Sequence, residues 1–480
     1  MITSPRNAKV VAALRLKKRA FRERDRRFLV EGAQAVGEAL GRADGLSALF
    51  HTDTAHPLVG RAAEAGIEVV HVDHEVMGKL TSTVTPQGLL GVATFVDVDL
   101  AGVPEGPGCL AVLHEVRDPG NAGTVLRSAD AAGAGGVVFT SSSVDVYNPK
   151  TVRATAGSLF HLPVVRGIDT QAAIAEARRR EMRVLAMDAD GEADLYEVDL
   201  TDPVTFVFGN EAWGLPREVA ALADATVRVP LHGRAESLNL AAAATVCLFE
   251  WARRQREGRR AILETIIAAA AHDIRSPLTA MKGFGHALST RWEHMTDEQR
   301  DLMFTGIVFD TDRLNAIVRQ LVDAARLAAG SLDLFPERVE VGRLVGQVAE
   351  SLGRDPDHPP VVWESGEVEA FVDPERLRLV LEAFVESLVW WTNEGPVRVR
   401  GERRAGRLLL EVSRRGTELS PEEAERLFRP RAPGTGAGSK IGLFVALGVA
   451  AAQGGTATVR VDDGLAFVLD VPAGAEEPAI

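Results

Sequence analysis

The period of the hydrophobic pattern changes several times along the chain, and each change marks a different kind of structure. Between Phe28 and Asp97, short apolar pieces (IEVVHV, LLGVATFVDV) alternate with the helix-spaced, Ala-rich segment EGAQAVGEALGRA, which predicts a small α/β domain. AGVPEGPG, from Ala101, predicts a linker. A second run follows: strand CLAVLHEV, a helix around Thr124–Ala132, strand GVVFT, a helix over 171–181, strands RVLAMDA and VTFVFGN, and an Ala-rich helix from Leu238 to about Glu250. That order predicts a doubly wound parallel sheet. After Trp251 the basic stretch ARRQREGRR leads into helix-spaced segments over 261–290 and 297–329, a predicted helical hairpin. From Val339 the pattern mixes again: helix LRLVLEAFVESLVWW, strands VRVRG and RLLLEVSR, the Gly-rich APGTGAGSKIGLF, and strands TATVRV and AFVLDV. Four domains are expected, over 1–98, 106–257, 262–332 and 339–474.

The 480 residues suffice for several cores. Lys and Arg number 54 against 67 Asp and Glu, a net charge of −13, which excludes a uniformly basic nucleic-acid coat. The two cysteines, Cys109 and Cys247, lie in apolar runs without a C-x-x-C partner, so neither a disulfide framework nor a zinc site is expected, and no metal. The N-terminus lacks a signal-peptide core and no apolar run reaches membrane-spanning length, so a soluble, cytoplasmic protein without membrane contact is expected.

Charge is unevenly distributed. Residues 1–30 hold ten Lys/Arg against Glu23 and Asp25, whereas residues 31–252 hold 15 basic and 30 acidic residues. The basic run reads either as a solvated helix face or as a phosphate-binding element. Arg6, Lys17, Lys18, Arg19 and Arg22 are its candidate RNA contacts. The segment HEVRDPGNAGTVLRSADAAGAGG (114–136) follows a strand and opens a helix with many small residues. It allows close backbone approach to a ligand but fits neither G-x-G-x-x-G nor a P-loop.

Four segments, DPGNAGTVLRSADAAG (118–133), NPKTVRATAGSLF (148–160), FVFGNEAWGLP (206–216) and VPLHGRAESLNLAAAATVCLFE (229–250), resemble in order and spacing the motifs of the SpoU/TrmH family of RNA 2′-O-ribose methyltransferases. The N-terminal segment and TPQGLLGV resemble the ribosomal-protein-like RNA substrate-binding domain found in many members. The resemblance covers about residues 1–252 and implies a SPOUT trefoil-knot methyltransferase domain, S-adenosyl-methionine as cofactor, RNA as partner, most often ribosomal RNA, and a homodimer. Carried residue by residue, it places the cofactor against Gly209, Val229 and Leu238. It assigns the catalytic site to Arg127, Asn121, Glu211, Ser237 and Asn239. A guanidinium is normally charged, so phosphate positioning suits Arg127 better than base catalysis. Ser237 and Asn239 read equally as turn caps, and Val229 and Leu238 as core.

HDIRSPLT, beginning at His272, resembles the phosphoacceptor box of sensor histidine kinases, and 262–330 their dimerisation hairpin. His272 is then the possible phosphoacceptor and Asp273 the adjacent acid–base residue. The stretch 373–395 and GSKIGLFVALGVAAAQGG (438–455), with Gly438 and Gly442, resemble the asparagine and glycine boxes of an α+β Bergerat-type ATPase domain. Ser387 and Ala383 stand at its asparagine positions, Arg414 where the adenine-reading aspartate belongs, and Glu418 at a glycine position. Loss of the magnesium ligand and of the base acceptor opposes ATP/Mg binding. The leading expectation is RNA 2′-O-methylation with a degenerate kinase-like tail that regulates, dimerises or meets a signalling partner. The alternatives are a signalling protein whose N-terminal half senses RNA or S-adenosyl-methionine, and an inactive RNA-binding scaffold.

Overall fold

Pro and small polar residues set the element starts. In the computed structural model, which describes residues 1–83, 85–104, 108–329, 332–353, 358–428 and 441–474 with side chains at all but His272 and Ala329, the chain divides into two compact units, Met1–Arg256 and Glu257–Ile480.

The first unit opens with α1 (Ala8–Arg15), α2 (Arg19–Asp25), β1 (Arg27–Glu31), α3 (Ala33–Leu40), β2 (Leu46–His51), α4 (Pro57–Glu64), β3 (Glu68–His71), α5 (His74–Leu80) and β4 (Leu89–Thr94). These strands form a four-stranded sheet of order β1-β4-β2-β3, within the small α/β arrangement that the alternating pattern predicted. Of the expected linker, residues 105–107 lie outside the described residues. Beyond it come β5 (Cys109–Leu113), α6 (Pro119–Ala132), β6 (Gly136–Thr140), α7 (Pro149–Thr155), β7 (Val164–Ile168), α8 (Thr170–Arg179), β8 (Arg183–Met187), β9 (Ala193–Asp194), β10 (Val204–Phe208), α9 (Arg217–Ala220) and β11 (Ala225–Arg228). Their sheet has the order β7-β6-β5-β10-β8-β11-β9, and its neighbouring strands pair parallel throughout. Helix α6 starts earlier than expected because the Asp118 side chain caps Asn121 N–H at 2.8 Å and Pro119 occupies the first turn.

The two sheets of this unit share one core. Phe28, Val36 and Leu49 belong to the same buried cluster as Val137, Tyr147, Phe160 and Trp251. Polar clamps join the halves. Arg22 on α2 is 3% exposed, donates to Asp145 at 2.5 Å, and also donates to the Leu16 and Lys17 carbonyls. Arg166 binds Glu23 and Asp97, and the Tyr147 hydroxyl donates to Asp97 at 2.6 Å. The expected pair of domains, 1–98 and 106–257, is therefore one packed unit. Cys109 and Cys247 are both buried and unpaired.

Helix α10 runs Leu240–Arg291 where two separate helices were expected. Strong helix formers fill the join, with ion pairs Arg253–Glu250, Arg254–Glu250 and Arg260–Glu264 one turn apart. The second unit contains the end of α10, then α11 (Asp297–Ala329), β12 (Glu337–Glu340), α12 (Val341–Leu352), β13 (Val361–Trp363), β14 (Glu369–Val372), α13 (Pro374–Trp391), β15 (Glu394–Arg404), β16 (Arg407–Arg415), α14 (Pro421–Glu425), α15 (Gly442–Ala452), β17 (Thr456–Val461) and β18 (Gly464–Pro472). It carries a two-stranded sheet, β12-β14, and a five-stranded one, β13-β15-β16-β18-β17. Phe384 of α13 and Val445 of α15 share their core with Phe467 of β18. Among the described residues no helix is long and apolar enough to cross a membrane.

The Arg22–Asp145 pair yields a stability prediction. Arg22→Ala leaves a buried, uncompensated carboxylate and is expected to cost about 3–5 kcal/mol in denaturant unfolding of the first unit. Arg22→Met combined with Asp145→Leu removes both charges and is expected to recover most of that loss.

Candidate functional site

The site is assembled at the carboxyl ends of two adjacent parallel strands. From β5 the chain moves to β6 and β7 on one side, while β10 lies on the other side of β5. The β5/β10 edge is therefore the topological switch point, where ligands gather in such sheets. Glu211, just beyond β10, spans it. Its carboxylate accepts the backbone N–H of Arg117 at 3.2 Å and of Asp118 at 3.0 Å, both just beyond β5. It also accepts the Asn121 side-chain amide at 3.2 Å, and the Asn121 carbonyl oxygen in turn accepts the Asn239 amide at 3.1 Å. Burial pushes the Glu211 carboxyl up, but its own backbone N–H, those of Arg117 and Asp118, and the Asn121 amide outweigh this and hold it below its ordinary value.

Three of the five expected catalytic residues, Asn121, Glu211 and Asn239, are thus brought together in one hydrogen-bonded chain. Asn239 also caps α10, accepting Ala241 N–H at 2.9 Å, as its turn-cap reading expected. Arg127 lies on α6 six residues beyond Asn121, about 9 Å along the helix. Its exposed side chain makes no hydrogen bond or ion pair among the described residues. Ser237 is exposed and likewise outside the hydrogen-bonded chain.

A Cβ on Gly209 would lie 2.3 Å from the Gly214 carbonyl carbon, so only glycine allows the turn that follows β10 to close. Asn210 and Gly214 exchange two backbone hydrogen bonds of 2.9 Å, and the Asn210 amide donates to Glu115 O at 2.7 Å. Val229 leaves β11 two strands from β10, about 10 Å away across the sheet, and packs against the core. Leu238 is 39% exposed. A backbone edge with apolar side chains at the strand ends fits a neutral heterocycle such as the adenine of S-adenosyl-methionine. Among the described residues no group of three or more His, Cys, Asp or Glu could hold a metal.

Sequence reasoning missed Arg117, Asn210, Trp213 and Lys150. Trp213 is 54% exposed with the Arg117 guanidinium 5.0 Å from its ring centre, and Lys150 donates to Asp118 at 3.1 Å. Only Asn210, beside the Gly209 turn, carried a local signal, as a polar turn residue. In the basic N-terminal run the structure corrects one expectation and narrows another. Arg22 is not available to RNA phosphate because it is buried against Asp145. Lys17 is half-buried, with its ammonium donating to the Lys79 and Thr81 carbonyls. Arg6, Lys18 and Arg19 remain exposed.

In the second unit, His272 lies on α10 but its side chain is outside the described atoms, and Gly438 lies outside the described residues. Pro277 sits inside α10 and cannot donate to the carbonyl of Asp273. Arg414 is spent on structure, donating to Thr392 O at 2.6 Å and Gly395 O at 2.9 Å, and Ser387 is 2% exposed. Burial and the carboxylates of Glu382 and Asp273 push Glu386 up to about 7, against the pull of Arg313.

Comparison with known proteins gives three family matches. The SpoU rRNA Methylase family matches residues 108–249, the MRM3-like substrate binding domain 7–91, and the His Kinase A (phospho-acceptor) domain 262–330. The chain is 31% identical over 248 residues to the 23S rRNA (guanosine(2553)-2′-O)-methyltransferase RlmP of Bacillus subtilis (strain 168), covering 52% of this chain and 97% of that protein. It is 38% identical over 182 residues to the 23S rRNA (uridine(2479)-2′-O)-methyltransferase of Streptomyces viridochromogenes, covering 37% of this chain and 63% of that protein. A solved AdoMet-bound rRNA methyltransferase from Sinorhizobium meliloti is 35% identical, with 52% of this chain and 97% of that one covered and a TM-score of 0.48.

Glu211→Gln exchanges a carboxylate acceptor for one carbonyl and an NH2 facing N–H donors. Amide hydrogen exchange at Arg117 and Asp118 is expected to quicken about ten-fold or more, the equivalent of one charge-assisted hydrogen bond, and unchanged protection would sink the clamp. Glu386 titrates in the opposite sense to an ordinary ion-paired carboxylate. Its raised value means that its contribution to the second unit is fully present below about pH 4.3 and is lost as pH rises through about 7. Full-chain unfolding followed from pH 5 to 8 should show that decline, and Glu386→Gln should flatten it.

Proposed function

The chain belongs to the SpoU rRNA methylase family and is an RNA 2′-O-methyltransferase that uses S-adenosyl-methionine, and we propose that ribosomal RNA is its substrate. The observation that carries the site assignment is the hydrogen-bonded chain Glu211–Asn121–Asn239 across the β5/β10 switch point. The cofactor, when bound, supplies an electrophilic methyl group to the ribose 2′-hydroxyl. Gly209, Val229 and Leu238 are the residues that would hold it, and the Gly209 turn and the exposed Leu238 support that placement. Glu211 and Asn121 keep the two strand ends in register, so the hydroxyl meets the methyl in line. Arg127, exposed and without a carboxylate partner among the described residues, holds the adjacent phosphate and offsets negative charge on the hydroxyl oxygen as its proton passes to water, with the neutral thioether as the leaving group. Ser237 orients the ribose from the segment before α10.

The segment between β11 and α10 is read as the thread of a trefoil knot. The insertion of β10 between β5 and β8, and the bond from Asn239 back to Asn121 on the first helix of this sheet, support that reading. The protein works as a cytoplasmic homodimer. Arg6, Lys18 and Arg19 gather RNA phosphates for an otherwise acidic body. The second unit is a regulatory or dimerising tail, with His272 its phosphoacceptor and Asp273 the neighbouring acid–base group. A signalling partner supplies the phosphoryl group, because Arg414 and Ser387 stand where ATP/Mg recognition needs an aspartate and an asparagine.

Transfer of labelled methyl from S-adenosyl-methionine to ribosomal RNA tests this reading. Purified full-length protein is expected to place label on a ribose 2′-oxygen, and Arg127→Ala to lower the rate at least about 100-fold. Cofactor binding without any label on RNA would favour the sensor reading instead.

A further inference from the structure

Trp213 and Arg117 are unused by the methyl-transfer site as described, and their arrangement is not that of filler. Trp213 is 54% exposed and belongs to the turn pinned by the Asn210–Gly214 hydrogen bonds. The Arg117 guanidinium lies 5.0 Å from its ring centre and makes no hydrogen bond or ion pair among the described residues. Glu211 ties the two together, since it follows β10 two residues before Trp213 and accepts the backbone N–H of Arg117.

We propose that Trp213 and Arg117 form the seat of the nucleobase whose ribose is methylated, an inference that rests on the RNA methyltransferase reading. Sequence-tolerant recognition of unpaired RNA stacks bases on aromatic rings and guanidinium planes. An exposed indole beside an unpaired cation provides both surfaces. The charge also fits. Residues 31–252 carry twice as many acidic as basic residues, so an exposed guanidinium at the site edge, without an ion pair among the described residues, favours the approach of a polyanion there. Because the Glu211 clamp fixes the backbone beneath both side chains, a base seated there brings its own ribose to a fixed distance from the strand ends. The stack does not choose among bases, so it positions the target nucleotide and leaves its identity to other contacts.

The test uses full-length protein, a 23S ribosomal RNA transcript and a mixed-sequence single-stranded oligonucleotide. Trp213→Ala is expected to raise KM for the transcript and Kd for the oligonucleotide roughly 5- to 150-fold, the range one base–aromatic stack supplies. KM for S-adenosyl-methionine should stay within about two-fold. Trp213→Phe should recover most of the loss, and Arg117→Met should raise the RNA KM while its backbone N–H still reaches Glu211. An unchanged RNA KM in Trp213→Ala overturns the proposal. So does equal damage in the Phe and Ala variants with weakened cofactor binding, which would make the ring part of the turn's structure. Loss of a dimer at unchanged RNA affinity also overturns it and assigns the ring to a second copy of the chain. If wild-type protein transfers no methyl to RNA, the underlying reading fails on its own, and the oligonucleotide Kd still decides the stacking seat.

Discussion

The Glu211 carboxylate is the constraint on which the site depends. It follows β10, yet its acceptors are filled by N–H groups beyond β5 and by a side chain on α6. The carboxylate stays exposed to water on one side, and these charge-assisted bonds fix its orientation. The interaction holds two strand ends, the first turn of α6 and, through Asn121, the start of α10 as one unit. Gly209 makes this possible, because any side chain there would strike the Gly214 backbone and push the Glu211 turn outward.

Charge explains the division of labour in the first unit. Its body is acidic and its first 30 residues are basic, yet part of that basic run is diverted inward. Arg22 is buried against Asp145 and Arg166 reaches Glu23, so α2 is fixed to the sheet that carries the site. RNA held by the exposed Arg6, Lys18 and Arg19 would therefore be presented by a surface rigidly linked to the strand ends.

In the second unit, two residues at the positions expected to read a nucleotide serve the fold instead. Arg414 uses its donors on two backbone carbonyls, and Ser387 is sealed in a helix core. These side chains now support the sheet and helix around them. Burial and the neighbouring carboxylates of Glu382 and Asp273 push Glu386 up to about 7, so this part of the second unit carries a carboxyl that titrates near neutrality.

Much of this was legible in the sequence, and the limits have a physical origin. Apolar runs such as VTFVF and GVVFT announced buried parallel strands, and the resemblance of four motifs to the SpoU/TrmH family pointed to methyl transfer, because local periodicity and motif order are properties of the chain alone. The helix α10 was misread as two because the basic run between its apolar segments interrupts the helical hydrophobic spacing, while the i,i+4 ion pairs that carry the helix through it are polar. The fate of Arg22 was invisible, since the carboxylate that buries it lies 123 residues away. The same holds for Arg117 and Trp213, far apart in sequence and joined only where β5 and β10 lie side by side. Sequence by itself determined the strands, the helices and the chemistry available. Tertiary structure decided which charges stay exposed and which are consumed as clamps, because burial and partner choice are set by residues that meet only when the sheet closes.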